Sequence, residues 1–502
     1  MEDSDTKKTR TIGLYGFVMM IFTTIWGFNN GTIAYLQMGY ASIIWYLFAA
    51  IFFFLPVGLM FAEYGSTFNK ARGGIYSWLE GSVGPKFAFN GTFIWLASWE
   101  LWLVATASRV WIPISVLFQG KDMTQSWHFA GLGSTQVIGV LGVIFIIVVT
   151  LMASNGIDWI AKISSFGGAI MIILNILFFG TSILILIFNK GQLAEPIHGM
   201  QTFVKSPNPE FGTPIAMLSF IVYAIFAYAG MESIGGVSDS LKNPKKTFPR
   251  GILIATIAIS VLYSITIFFW GISANWNHVL NNGHVNLGNV GYVLMDNLGY
   301  SFGQSINLSA SSSHLIGNIF ARFVGFDNFI MYLGAYFVLV YSPLKSFIMG
   351  TPKDFWPKRF TQFNKNDMPA RAMWWQCGLV AIIILAVSFG GSGAKQFYNI
   401  LTLMGNVSTS VPYLYLIAAF PFFKMKKDLD RPYVFYKSQR AANWVTGITF
   451  TVVALAIIFT MLNPLLTHDW FDAFWTIVGP VFFTIVSYTM YHFYQKREQA
   501  KE

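Results

Sequence analysis

What most limits this chain is a set of long stretches that carry almost no charge. Residues 17–35, 42–61, 137–152, 163–188, 253–270, 379–389, 445–465 and 474–493 are each nearly free of Asp, Glu, Lys and Arg. About 20 apolar residues cross the hydrocarbon core of a bilayer as a helix. Lipid offers the backbone no hydrogen-bond partner, so a spanning segment must be helical or part of a closed barrel. The stretches are continuous and lack the alternation of barrel strands. Charged residues make up 11% of the chain, against about 25% in a typical soluble domain. The sequence therefore specifies an all-α integral membrane protein.

Twelve transmembrane helices are expected, at about 12–37, 41–66, 87–118, 135–154, 159–188, 213–236, 250–273, 324–346, 372–391, 394–422, 441–465 and 470–494. Cytoplasmic segments are enriched in Lys and Arg. With both termini inside, the inner segments and the span ends beside them hold 26 of the 32 basic residues and the outer ones hold 4. Arg109 and Arg322 sit within or beside spans. The net charge of +10 thus reads as topology, and no nucleic-acid partner is expected. The organisation that follows is a cytoplasmic tail (1–11), a core (12–422), a cytoplasmic loop (423–440), two further helices (441–494) and a cytoplasmic tail (495–502). No cleaved signal peptide is expected at the charged start of the chain. Residues 274–313 are too polar to span and read as a long outer loop with a short helix near 292–298. Both a lid and a passive connection fit that loop.

Two of the expected spans contain polar and glycine-rich interruptions. The first holds Trp26-Gly27-Phe28-Asn29-Asn30-Gly31-Thr32, and the sixth holds Phe226-Ala227-Tyr228-Ala229-Gly230-Met231-Glu232-Ser233. Glycine costs about 1 kcal/mol relative to Ala inside a helix, and buried amides need partners. The two interruptions lie five helices apart. An odd offset inverts the second set of five, the signature of an inverted repeat with a solute site between two discontinuous helices. Unwound backbone exposes N–H groups that suit a carboxylate and carbonyls that suit an ammonium group. Close helix packing through small residues is the competing reading of each glycine cluster.

Several motifs carry a family resemblance over about residues 11–495. They are Pro56-Val57-Gly58-Leu59 with Ala62-Glu63, Gly73-Gly74-Ile75-Tyr76-Ser77-Trp78 with Gly84-Pro85, and Gly230-Met231-Glu232 followed by Asn243-Pro244-Lys245-Lys246 and Pro249. Pro357, Asn364-Lys365, Met368-Pro369 and Val411-Pro412-Tyr413-Leu414-Tyr415 continue the series. In order and spacing these resemble the amino acid–polyamine–organocation (APC) superfamily, closest to its YjeM-type permeases and glutamate/GABA antiporter branch. The resemblance implies a LeuT-type 5+5 inverted repeat, about 12–188 and 213–422, with discontinuous helices 1 and 6 and two additional C-terminal helices. It implies a secondary active transporter of an amino acid or related amine in the plasma (inner) membrane, working by alternating access.

Carried over residue by residue, the resemblance implies a substrate site at Gly27, Phe28, Asn29, Asn30, Gly31 and Thr32 in helix 1. Phe28, Asn29 and Asn30 stand where the family has one small residue. The site continues at Phe226, Ala227, Tyr228, Ala229 and Gly230 in helix 6, with the carbonyls of Phe226, Ala227 and Tyr228 on the ammonium. Ala97, Ser98 and Trp102 in helix 3 and Tyr336 in helix 8 would complete it, and Glu232 would gate or couple. At about 100° per residue Glu100 points about 160° from Ser98, so Glu100 is assigned to helix pairing. Arg109 returns to the Ser98 face about 16 Å further out, where guarding a vestibule and snorkelling to headgroups both fit. Glu63 is expected to contact the Gly73-Gly74 turn, and Lys162 to snorkel at the inner interface.

A channel would favour a repeated pore motif or a charged ring, and neither is present. A non-transporting solute sensor and a glutamate/GABA-type exchanger are the alternatives carried forward. An enzyme is not expected. The seven histidines, His128, His198, His278 and His284 among them, form no defensible cluster, and there is no Walker-type phosphate loop. No cofactor and no metal is expected. The partners are a small amine-bearing substrate, the bilayer and a coupling ion, H⁺ or Na⁺. Cys377 is a single cysteine in an apolar run and is assigned to packing.

Overall fold

The computed structural model describes residues 12–68, 74–155, 160–232, 241–366, 368–390 and 393–500. Among these residues the regular structure is helical, with only isolated bridges otherwise. Ten helical segments are long and apolar enough to cross a membrane, and Leu14–Ile25 and Pro214–Ala227 are shorter apolar segments. The helices used below are α1 (Leu14–Ile25), α2 (Phe28–Met38), α3 (Ala41–Thr67), α4 (Pro85–Arg109), α5 (Ser134–Ser154), α6 (Ile160–Phe188) and α7 (Pro214–Ala227). They continue with α8 (Pro244–Ser273), α9 (Val290–Ser305), α10 (Ala310–Gly350), α11 (Ala370–Ser388), α12 (Ala394–Met425), α13 (Gln439–Leu466) and α14 (Trp470–Gln499). The largest fully buried side chains are aromatic, among them Trp78, Trp270, Tyr35, Tyr46, Tyr228 and Tyr263. Cys377 is buried as well, inside α11.

The 274–313 region is more ordered than its composition suggests. Helix α9 is twice the expected length, and α10 begins at Ala310 rather than near 324. Ser309 starts α10 by accepting the Ser312 N–H at 3.2 Å, the side-chain capping that Ser favours. Gly299 and Gly317 then let α9 and α10 lie backbone to backbone; a Cβ on Gly299 would meet the Gly317 Cα at 2.8 Å. Two glycines that lower helix propensity in isolation thereby allow a helical hairpin.

Helix α3 changes pitch at Ala50–Phe54, a π-helical stretch just before Pro56. A wider turn accommodates the missing N–H and the ring of a proline within a helix. At the far end of α3 stands Glu63; its expected contact with the Gly73-Gly74 turn involves Gly73, which lies outside the described residues. The Glu63 carboxylate is completely buried and pairs with Lys424 Nζ of α12 at 2.7 Å. The other carboxylate oxygen accepts the N–H groups of Phe435 and Tyr436 at 2.9 and 2.8 Å. Burying two charges is tolerated when every lone pair is used in this way. The result ties α3, α12 and the loop before α13 together. The expectations for Ser233 and the Lys162 side chain lie outside what is described.

Candidate functional site

Helix α1 stops at Ile25 and α2 starts at Phe28. Between them Trp26 and Gly27 are extended, with ψ of 118° and 115°. The interruption is two residues long and precedes the polar residues: Asn29, Asn30, Gly31 and Thr32 are helical. The interruption expected within Trp26–Thr32 is therefore narrowed to 26–27. Gly31 allows packing instead, since a Cβ there would meet Thr266 Cγ2 of α8 at 2.8 Å. Helix α7 ends at Ala227, and the chain turns through Tyr228 and Ala229 to Gly230, whose φ is +113°. Only glycine adopts that backbone without strain. Gly230 lies against the last turn of α1; an added Cβ would sit 3.4 Å from the Thr24 carbonyl oxygen.

One side chain joins the two interruptions. The Tyr263 hydroxyl of α8 accepts the Gly27 N–H at 3.0 Å and the Asn30 Nδ2–H at 3.0 Å. It lies 3.1 Å from the carbonyls of both Ile25 and Ala227, between which its single proton is shared. Backbone groups left unpaired by two broken helices are thus satisfied from a single neutral group. The Trp26 ring packs on Tyr263 with centroids 4.5 Å apart, while Tyr46 and Tyr228 surround the same ring.

The second interruption is held by a carboxylate. Glu232 is buried, and its Oε2 accepts the Gly230 N–H at 3.0 Å and the Tyr413 hydroxyl of α12 in a short hydrogen bond. Its Oε1 accepts from Trp95 Nε1 of α4 at 3.4 Å. Tyr413 in turn accepts from Gly230 N–H at 2.9 Å. Glu232 therefore links the turn after α7 to α4 and α12.

Beyond α2 toward the 274–313 side lies a polar cluster. Asn29 Nδ2 donates to Asn328 Oδ1 of α10 at 3.0 Å and reaches the Tyr332 hydroxyl at 3.5 Å. Asn328 Nδ2 donates to the Tyr292 hydroxyl of α9 at 3.1 Å. The Arg109 guanidinium stands at the end of α4. It donates to the Tyr398 carbonyl at 3.2 Å and to Thr402 Oγ1. Its Nε is buried with no partner among the described residues. Arg109 turns inward to α12, which excludes snorkelling in this arrangement. Helix α9 caps the cluster: a Cβ on Gly291 would meet Asn29 Oδ1 at 2.9 Å.

The other expected residues divide. The Phe226 carbonyl accepts from the Ala229 N–H at 3.0 Å, and the Ala227 carbonyl is taken by Tyr263. The Tyr228 carbonyl has no hydrogen bond among the described residues. The Asn30 N–H already donates to the Gly27 carbonyl at 3.0 Å, which leaves Phe28 and Asn29 as the unpaired start of α2. Phe28 is buried against Phe178 and Trp270, and Thr32 Oγ1 donates to the Asn29 carbonyl at 2.8 Å. Ala97 is buried, and Ser98 bonds back to the Trp95 carbonyl at 2.7 Å. Tyr336 does not face the interruptions. Its hydroxyl donates to the Leu103 carbonyl at 3.1 Å, and its ring packs on Trp102 and Phe145. The residues of α10 that reach Asn29 are Asn328 and, one turn before Tyr336, Tyr332. Glu100 is buried with one carboxylate oxygen unpartnered.

Sequence reasoning missed Tyr263, Trp95, Tyr332 and Asn328. The α4 residues had a signal in the spacing: Trp95, Trp99, Trp102 and Arg109 recur at helical intervals and form one stripe, with successive Trp rings 6.3 and 6.4 Å apart. Tyr263 had none, because one tyrosine in an apolar run looks like packing.

A charge-poor helical membrane protein whose two broken segments meet over unpaired backbone groups is a solute carrier, and this one is a secondary transporter of amino acids or amines. The chain belongs to the amino acid permease family, whose sequence profile matches residues 12–485. It is 47% identical over 496 residues to the inner membrane transporter YjeM of Salmonella typhimurium, covering 99% of this chain and 98% of the relative. It is 48% identical over 489 residues to the Escherichia coli K12 protein of the same name, covering 97% of each. More distantly, it is 22% identical over 515 residues to the aspartate/glutamate permease AcaP of Lactococcus lactis, covering 99% and 97%. These relatives agree with a multi-pass protein of the inner membrane.

Proposed function

We propose that the chain carries an amino acid or related amine by alternating access through a ten-helix core followed by two further helices, in which α1–α2 and α7 with the segment after it are the two discontinuous helices of a 5+5 inverted repeat. Both termini are cytoplasmic, and α9 covers the outer side. The observation that carries this reading is the shared Tyr263 hydroxyl, which brings both interruptions to one point. The substrate's carboxylate meets the N–H groups at the start of α2, and its ammonium meets the Tyr228 carbonyl, so backbone dipoles hold both charges. Ala229 and Gly230 form the turn beside that carbonyl. Ala97, Ser98 and Trp102 line the α4 side, and Glu232 gates the turn after α7.

Arg109 favours a substrate with a second carboxylate. It is a guanidinium with no carboxylate at ion-pair distance among the described residues, on the outer side of the interruptions, and planar recognition of carboxylates is what Arg does best. The relative AcaP, named for aspartate and glutamate, supports the same class. Uptake of labelled amino acids into proteoliposomes, with pH and Na⁺ gradients varied, tests both statements. Acidic amino acids should be taken up by the parent, and Arg109→Gln should lose them by about a hundredfold, the order expected for one charge-assisted contact. Uptake of no amino acid would leave a solute sensor. Uptake of neutral amino acids alone, unchanged in Arg109→Gln, would remove the Arg109 role only. Cysteines placed at Ser4 and Asn282 should be labelled from opposite sides of the membrane.

A further inference from the structure

Far from the interruptions, a groove of about 850 Å³ opens beside α11. Arg359 and Arg371 line it together with Phe360, Trp374, Trp375, Gly378, Leu379 and Ile382. On α11, Arg371, Trp375, Gly378 and Ile382 follow at intervals of four, three and four residues, so they share one face. That face runs about 16 Å along the helix axis, from two cations to bare hydrocarbon. It is open: Trp375 is 71% exposed and Ile382 67% exposed.

Interfacial arginines and tryptophans are ordinary in membrane proteins, and three features set this place apart. The loop that carries Arg359 is anchored rather than loose. Asn364 Nδ2 donates to the Ser154 carbonyl at 2.6 Å, and Asn366 Nδ2 to the Asn155 carbonyl at 2.9 Å, both at the end of α5. Arg371 is oriented by the Gln362 side chain at 2.7 Å, and Phe360 packs on Trp375 with centroids 6.2 Å apart. Neither arginine has an ion pair among the described residues. Finally, Gly378 leaves a notch in the middle of the face: a Cβ built there meets nothing within 4 Å. The open space at this glycine lies in the groove that the two arginines line and leaves room beside α11.

We propose that this groove binds an anionic glycerophospholipid, with its phosphate between Arg359 and Arg371 and one acyl chain laid along Trp375, Gly378 and Ile382. Two fixed cations at the polar–apolar boundary match a headgroup phosphate, and the uncharged floor below matches a chain. A second copy of this chain fits less well, because a two-fold contact through this face would set like charges together. The lipid lies in the inner leaflet, a clause that rests on the orientation proposed above; binding itself does not depend on it.

Native mass spectrometry of the purified full-length protein in detergent, titrated with phosphatidylglycerol or phosphatidylcholine, tests the site. Phosphatidylglycerol should bind tighter than phosphatidylcholine. Arg359→Gln with Arg371→Gln should weaken it about thirtyfold, about fivefold for each charge, while the double lysine variant keeps most of the binding. Gly378→Leu leaves both cations in place, its Cβ meets nothing within 4 Å, and it should weaken both lipids by filling the notch while the thermal midpoint stays at the parent's. Lys496→Gln with Arg497→Gln should leave binding unchanged. Equal affinity for the two lipids, indifference to the Gly378 change, or equal loss in the Lys496/Arg497 pair would overturn the proposal. So would competition by inorganic phosphate alone, or a parent dimer that Gly378→Leu dissociates.

Discussion

The two interruptions solve the same backbone problem with different chemistry. At Trp26–Gly27 the unpaired groups are met by a neutral hydroxyl, that of Tyr263, and Gly27 has an ordinary φ of −125°. At Tyr228–Gly230 the chain takes a conformation only glycine tolerates, and an ionisable side chain, Glu232, fastens it to Tyr413 and Trp95. The first is a joint whose bonding is indifferent to protons. The second carries a group whose charge decides how strongly it holds Gly230 and Tyr413. If the substrate site lies between them, the gate that senses its surroundings belongs on the second side.

The largest effect should come from Gly230→Val. A β-branched side chain at φ +113° costs of order 1–3 kcal/mol in the backbone alone and pushes on Thr24. Uptake into reconstituted vesicles should fall to background while the protein remains in the membrane as a monodisperse peak; normal transport would break the assignment of the second interruption to the site. Tyr263→Phe comes next. It strands the Gly27 N–H and two carbonyls, at about 1–3 kcal/mol for each buried group left unmet. Uptake should drop about tenfold or more and the thermal midpoint should fall, whereas an unchanged midpoint would mean that water replaces the hydroxyl. Glu232→Gln should leave substrate binding measurable while slowing net transport or changing its pH dependence. A variant that matched the parent at every pH would reduce Glu232 to a structural cap. The smallest effect should be that of Gly27→Ala. The backbone there is open to any residue, and the added Cβ would displace the Asn30 amide, 2.9 Å away, at the cost of one of the four contacts of the Tyr263 hydroxyl. Uptake should stay within about fivefold of the parent, since the cost at such a helix start is about 1 kcal/mol. Equal damage from Gly27→Ala and Gly230→Ala would erase the contrast.

Much of this was legible because a bilayer allows few structures. Charge-free stretches of the right length could only be helices, and the glycines near 27 and 230 pointed to the segments where helices stop. The position of the first stop was less legible. Gly31 looked like part of the interruption and is a packing glycine against Thr266, since composition cannot tell a glycine that frees the chain from one that admits a neighbour. Tyr336 was chosen where Tyr332 faces Asn29; one helical turn separates them, and residue type does not fix which turn meets a partner. Helix α9 was read as mostly loop because its Asn, Gly and Ser content hides helix formation that depends on α10 beside it. Tyr263 was invisible for a deeper reason. Its role exists only once two distant interruptions converge on it, and no local pattern encodes a meeting of three segments.

The buried Glu63–Lys424 pair has a mechanical consequence. Removing one partner of such a pair costs about 3–5 kcal/mol, so a conformer that pulled the two apart without replacing the contact would hold under about 1% of the molecules at rest. The lower ends of α3 and α12, with the Phe435–Tyr436 strap between them, therefore travel as one lever. At Tyr263, by contrast, one hydroxyl proton lies within reach of two carbonyls, 3.1 Å from each, and can bond either, so that joint can give where the Glu63–Lys424 pair cannot.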